Sequence, residues 1–136
     1  MTFAIAGAKP EQRVIDETAR FGSGCAVWHF AVVLSGVVVG NYVSIGSHAE
    51  IGHRCVIGDR TRISKGVFLP SDSQIGEGVF IGPGVVFTDD KHPRVSLASG
   101  HYTAEPPIVE YGASIGAGVV VCPGVRIGDF ARIGAG

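Results

Sequence analysis

Large apolar residues recur at every sixth position from Ile15 to Phe87: Ile15, Phe21, Val27, Val33, Val39, Ile45, Ile51, Ile57, Ile63, Leu69, Ile75, Ile81 and Phe87. The step breaks once and resumes at Val109, Ile115, Val121, Ile127 and Ile133. Two positions before these residues stands a small or β-branched one, as at Ala31, Val37, Val43, Ala49 and Cys55. Glycine follows the same clock. Nineteen of the 21 glycines lie either one or three positions past an apolar residue; only Gly7 and Gly100 do not.

A six-residue unit with one large and one small inward residue and recurrent glycine reads as a short strand followed by a tight corner. Glycine supplies the positive φ or the closely packed backbone that a corner demands. Three units close a triangular coil, and stacked coils pair as parallel strands about 4.8 Å apart. The eighteen hexads predict an all-β prism of about six triangular coils, roughly 29 Å tall at that spacing, around one apolar column.

Between Phe87 and Val109 the step is 22 residues, so sixteen are inserted as a polar, proline-bounded loop over 88–107. It follows the fifth-coil strand ending at Phe87. A long loop in an otherwise strict repeat is usually functional. Residues 1–13 lack the hexad and read as an N-terminal arm that caps the first coil, leaving 14–136 as the repeat domain.

Steps of 18, corrected for the insertion, trace three vertical edges. The first carries Ser23, Asn41, Asp59, Glu77, Tyr111 and Asp129, and its polarity reads as solvent-facing. The second carries His29, Ser47, Lys65, Pro83, Ala117 and Ala135. The third carries Ser35, His53, Ser71, Asp89 and Pro123, and the long loop leaves from it. The second and third are the expected packing edges between subunits, with a cleft where one chain's second edge meets its neighbour's third.

The Ile/Val-Gly-x-x-x-x hexads resemble those of the hexapeptide-repeat acyltransferases over about residues 14–136. That resemblance implies a left-handed parallel β-helix and a homotrimer. Three segments are similar to those of the nucleotide-amino-sugar N-acetyltransferases: Trp28-His29-Phe30, Phe87-Thr88-Asp89-Asp90-Lys91-His92-Pro93-Arg94, and Gly112-Ala113-Ser114-Ile115-Gly116-Ala117. Those enzymes move an acetyl group from acetyl-CoA to the amine of a nucleotide-linked amino sugar for surface polysaccharides.

The resemblance implies catalytic roles for Asp89 and His29. Asp89 stands where that family has Asn near the sugar amine, and a carboxylate there accepts a hydrogen bond or the proton, or else holds an unreactive ammonium. An imidazole titrating near neutral pH suits His29 as a base. Arg94 is the expected diphosphate contact, since a guanidinium pairs with two phosphate oxygens at once. Asp90, His92 and His48 are expected on the substrate side. His101 shares the loop, and His53 is given a surface role. Gly116, Ala117, Gly118 and Ala135 are small enough to leave backbone groups open to the pantetheine arm of the coenzyme. Related chains continue past the equivalent of Ile133-Gly134-Ala135-Gly136 with a segment that helps hold the coenzyme. This sequence stops there, so its last coil is expected to expose strand edge unless covered.

Eleven Lys and Arg against twelve Asp and Glu give a net charge of -1 and no basic stripe, which argues against a nucleic-acid partner. No apolar run approaches the ~20 residues of a membrane span, and Met1–Pro10 lacks the features of a signal peptide. A cytoplasmic location is the expectation. Three cysteines without a Cys-x-x-Cys predict free thiols, and no metal is expected. Two alternatives come from other classes. A non-catalytic trimeric scaffold, or shortened relative, binds ligand without turnover. A metal lyase resembling the γ-type carbonic anhydrases draws on the His48–His53 interval, but its third ligand falls on Gln12.

Overall fold

A computed structural model describes residues 3–95 and 102–136. The hexads fold into two-residue strands joined by four-residue corners. They stack into three parallel sheets, the faces of a left-handed parallel β-helix. The first face has seven strands and the other two have six each. Pairing runs at the 18-residue register, as at Ile45↔Ile63 and Ile63↔Ile81. Across the insertion it lengthens to Ile75↔Val109. The strands are too short to hold a sheet alone. What holds them is the column, in which Phe21, Val27, Ile45, Ile57, Leu69, Ile81, Phe87 and Ile115 are all at most 2% exposed. Burial of a side chain of this size stabilises by about 1.5–3 kcal/mol.

The smaller inward positions complete the column, and two of them are polar. Thr61 donates from Oγ1 to the Gly76 carbonyl at 2.7 Å, and Ser73 from Oγ to the Pro70 carbonyl at 2.6 Å, so neither hydroxyl is stranded. Cys25 and Cys55 occupy the same kind of position, and burial raises both thiols above their ordinary pKa. All three cysteines are free, with Cys122 exposed.

The two glycine phases have different physical causes. One past the apolar residue, the backbone of the next coil lies against the Cα: a Cβ built on Gly58 comes within 2.5 Å of the Glu77 nitrogen. Three past it, the turn needs a left-handed residue, as at Gly78, where φ is +67°. Among the described residues seven non-glycines adopt that conformation too: Phe30, Tyr42, His48, Arg54, Arg60, Asp72 and Phe130.

The arm contributes a strand that the hexads do not predict. It adds a strand, Ala6–Gly7, to the first face, paired Ala6↔Ala26 and so offset by 20 residues rather than 18. The prism therefore has a seventh rung on one face beyond the six coils read from the hexads. Arg13 fastens it: Nη1 donates to the carbonyls of Ala6 and Val27 at 2.8 and 2.9 Å, and Nη2 to that of Ile5 at 3.1 Å. Arg13→Ala is expected to free the arm, read as faster amide exchange at Ala6 and Ala8 with the exchange of Ile57 and Ile63 unchanged.

Candidate functional site

The first and second traced edges are continuous backbone ladders. On the second edge the amides of His48, Gly66, Gly84, Gly118 and Gly136 donate to the carbonyls of His29, Ser47, Lys65, Pro83 and Ala117, each at 2.9–3.0 Å. Ala117 and Ala135 are exposed on consecutive coils of this edge, with Gly118 beside them and Gly116 half-buried. At its lower end Trp28, His29, Phe30 and His48 are all exposed, and the Phe30 and His48 rings lie 5.2 Å apart.

The third edge carries the most organised polar chemistry. Ser35 Oγ and His53 Nδ1 are 2.8 Å apart, and both residues are half-buried. Above His53, Arg54 holds Asp72 through both carboxylate oxygens, at 2.7 and 2.9 Å. Below it, Asp16 accepts from the amide and hydroxyl of Thr18, and Thr18 Oγ1 accepts from the Gly36 amide one coil up. Of the four described histidines, His53 has a side-chain hydrogen bond, whereas His29, His48 and His92 are exposed without one shown. To the surface role read from sequence the structure adds this contact. The signal was present in the 18-residue spacing of Ser35 and His53, which stacks a hydroxyl beneath an imidazole.

The carboxyls around His53 are shifted. The Arg54 guanidinium holds Asp72 below its ordinary pKa, and the Thr18 hydroxyl does the same for Asp16. A carboxyl with a lowered folded-state pKa contributes stability above its unfolded value, and that contribution is lost as pH falls through the folded one. Stability is therefore expected to decline below about pH 4. Asp72→Asn flattens part of that decline in urea unfolding followed at pH 6 and pH 3. The effect is small, because the Arg54 and Asp72 side chains are 63% and 45% exposed and solvent screens the pair.

The long loop closes where it opens. Glu105 donates its amide to the Asp89 carbonyl at 2.8 Å and accepts from the Gly124 amide at 2.9 Å, so it is interposed between coils on the third edge. That corrects the direct stacking of Asp89 beneath Pro123 expected from the spacing. Lys91 Nζ lies 3.4 Å from a Glu105 carboxylate oxygen, and the His92 amide donates to Asp90 at 2.9 Å. Asp89 and Asp90 are half-buried, while His92 and Arg94 are exposed on the loop. His101 lies outside the described residues.

The structure thus brings His53 and Asp89 onto one edge, two rungs or about 10 Å apart. His29 stands on a different edge, three coils below Asp89 and so not beside it in one chain. His48 and His53 also stand on different edges. Among the described residues no three His, Cys, Asp or Glu side chains form a group able to hold a metal ion. A shallow groove on the third face, lined by Val56, Gln74, Ile108 and Tyr111, contains none of these candidates. No described helix is long and apolar enough to cross a membrane.

Residues 18–53 and 54–89 match the bacterial transferase hexapeptide (six repeats) family. Among solved structures, the chain is similar to the acetyltransferase domain of PglB from Neisseria gonorrhoeae, at 26% identity and a TM-score of 0.71, covering 92% of this chain and 54% of that one. The same domain in complex with acetyl coenzyme A matches at 25% identity and a TM-score of 0.64, covering 85% and 50%. A variant of perosamine N-acetyltransferase from Caulobacter crescentus, in complex with CoA and GDP-perosamine, shares the fold at 21% identity and a TM-score of 0.57, covering 96% and 51%. The chain spans about half the length of these structures. Among curated proteins none matches it in sequence.

Proposed function

Because the chain belongs to the bacterial transferase hexapeptide family, we propose that it is the repeat domain of an acetyl-CoA-dependent N-acetyltransferase acting on a nucleotide-linked amino sugar. The observation that carries this reading is the anchored imidazole of His53 on the edge from which the long loop emerges. Its likeness to an acetyltransferase domain solved with acetyl coenzyme A supports the donor. The amino-sugar acceptor rests on the three matched segments around His29, Asp89 and Ala113.

In this reading three copies form a trimer through the second face, between the second and third edges. Its outward row is apolar except for one residue: Val14, Val32, Glu50, Phe68, Val86 and Val120. A three-fold axis parallel to the prism keeps equal rungs at equal height. The neighbour's His48 then stands level with His53, with His29 one rung lower. Ala117 is three rungs higher, about 14 Å, which an extended pantetheine arm spans. The arm lies along Ala135, Ala117, Gly118 and Gly116, where small side chains leave backbone groups open.

The sugar amine attacks the thioester carbonyl carbon, a new C–N bond forms and the C–S bond breaks. His53 Nε2 takes the amine proton and returns it to the departing thiolate, so the products are the amide and free CoA thiol. Asp89 accepts a hydrogen bond from the amine. Arg94 pairs with the diphosphate, and Asp90 and His92 line the sugar.

Thiol release from acetyl-CoA, followed against a panel of UDP-, GDP- and dTDP-linked amino sugars, tests the reading. Transfer to at least one sugar is expected, with Asp89→Ala and His29→Ala both slower. Saturable acetyl-CoA binding without transfer to any of them identifies a non-catalytic scaffold instead.

A further inference from the structure

Among the described residues the hydroxyl of Ser35 is the hydrogen-bond partner of the His53 ring. Two carboxylates lie close enough for the imidazole to influence them, Asp16 below and Asp72 above, but both are committed elsewhere. Asp16 is held by Thr18, and Asp72 is clamped by both arms of Arg54. The usual device for orienting a catalytic imidazole, a carboxylate on the far ring nitrogen, is therefore replaced here by a hydroxyl on the coil beneath. Ser35 is well placed for it. Its carbonyl accepts from the Arg54 amide at 2.9 Å, which fixes the turn that carries it directly under His53. The next amide, that of Gly36, is tied down to Thr18 Oγ1 at 2.9 Å.

We propose that Ser35 is a positioning residue: its Oγ accepts a hydrogen bond from His53 Nδ1–H, which fixes the ring and leaves Nε2 as the unprotonated nitrogen facing the cleft. This rests on the transferase reading above and adds to it the group that sets the tautomer. An imidazole without that partner samples both tautomers and rotates about its side chain, so only part of the population presents a free Nε2 to the amine. Asp16 and Asp72 are the carboxylates that feel the charge of the imidazole, and Arg54 is paired with Asp72. Because the Asp72 and Arg54 charges offset each other at close range, they leave the choice of tautomer to the hydroxyl.

The test uses the full chain, ¹⁵N-labelled at histidine, with Ser35→Ala and Ser35→Thr beside the wild type. The imidazole ¹⁵N shifts of His53 are expected to show the Nδ1–H tautomer in the wild type and in Ser35→Thr, and a mixture in Ser35→Ala. In the thiol-release assay Ser35→Ala is expected to lower kcat by roughly tenfold to a hundredfold, as loss of orientation does. KM for acetyl-CoA stays the same, and Ser35→Thr recovers most of the rate. An unchanged tautomer in Ser35→Ala, an unchanged kcat, or a Ser35→Thr variant as slow as Ser35→Ala overturns the proposal. The two readings fail differently. A transferring wild type whose rate ignores Ser35 removes this assignment alone. A tautomer that responds to Ser35 in a protein that transfers nothing removes the transferase reading, and the positioning role goes with it.

Discussion

Gly58→Ala is expected to destabilise the protein by about 3 kcal/mol, the upper end of what overpacking does. Its added methyl meets the backbone nitrogen of Glu77 at 2.5 Å. The atom it strikes is part of the next coil's ladder, not the end of a movable side chain. The Gly58 amide also donates to the Ile75 carbonyl at 2.8 Å, so relieving the clash by separating the coils loosens that bond too. Gly78→Ala is the matched control. It sits in a left-handed turn at φ +67° with nothing within 4 Å of its built Cβ, so only the conformational cost of roughly 1–2 kcal/mol applies. Urea unfolding midpoints at unchanged m-value separate the two variants. If Gly58→Ala is the milder, the close contact between coils is wrong.

His53→Ala is expected to lower kcat for acetyl transfer by about a hundredfold to a thousandfold, the usual range for a lost general base. Its unfolding midpoint stays close to the wild type, since the ring is half-buried on an edge and outside the apolar column. Asp89→Ala is expected to act more weakly and chiefly on the sugar KM, because a hydrogen bond to the amine orients it without removing its proton. Equal activity in His53→Ala and the wild type assigns the proton to another group, with His29 the first to examine.

The hexad made the fold legible before any coordinates. A residue that recurs every sixth place has no other way to bury its side chain than a three-sided coil, and the apolar column follows it from Phe21 to Ile127. The edges were legible for the same reason, because backbone ladders join residues about 18 apart. The strand at Ala6–Gly7 was not, because its 20-residue offset falls outside the period and its anchor, Arg13, is a single side chain reaching three carbonyls. Glu105 escaped as well, since nothing in a polar loop marks the residue that slips between coils. The left-handed turns at Phe30, Tyr42 and Phe130 were hidden by residue types that seldom adopt them. His53 lay between these cases. Its column was traced, yet its importance depends on a hydroxyl contact that spacing permits without requiring.

A site shared between copies makes one requirement that a site within a single chain does not. His53→Ala removes the proton acceptor from the third edge, and Ala117→Trp blocks the second edge, so each variant alone is expected to be inactive. Co-expressed in equal amounts, the two chains assort at random within trimers and rebuild about a quarter of the sites, each with an intact third edge facing an intact second edge. A site shared in this way predicts recovery of roughly that fraction of wild-type thiol release. No recovery in mixed trimers, or an active monomer, contradicts it.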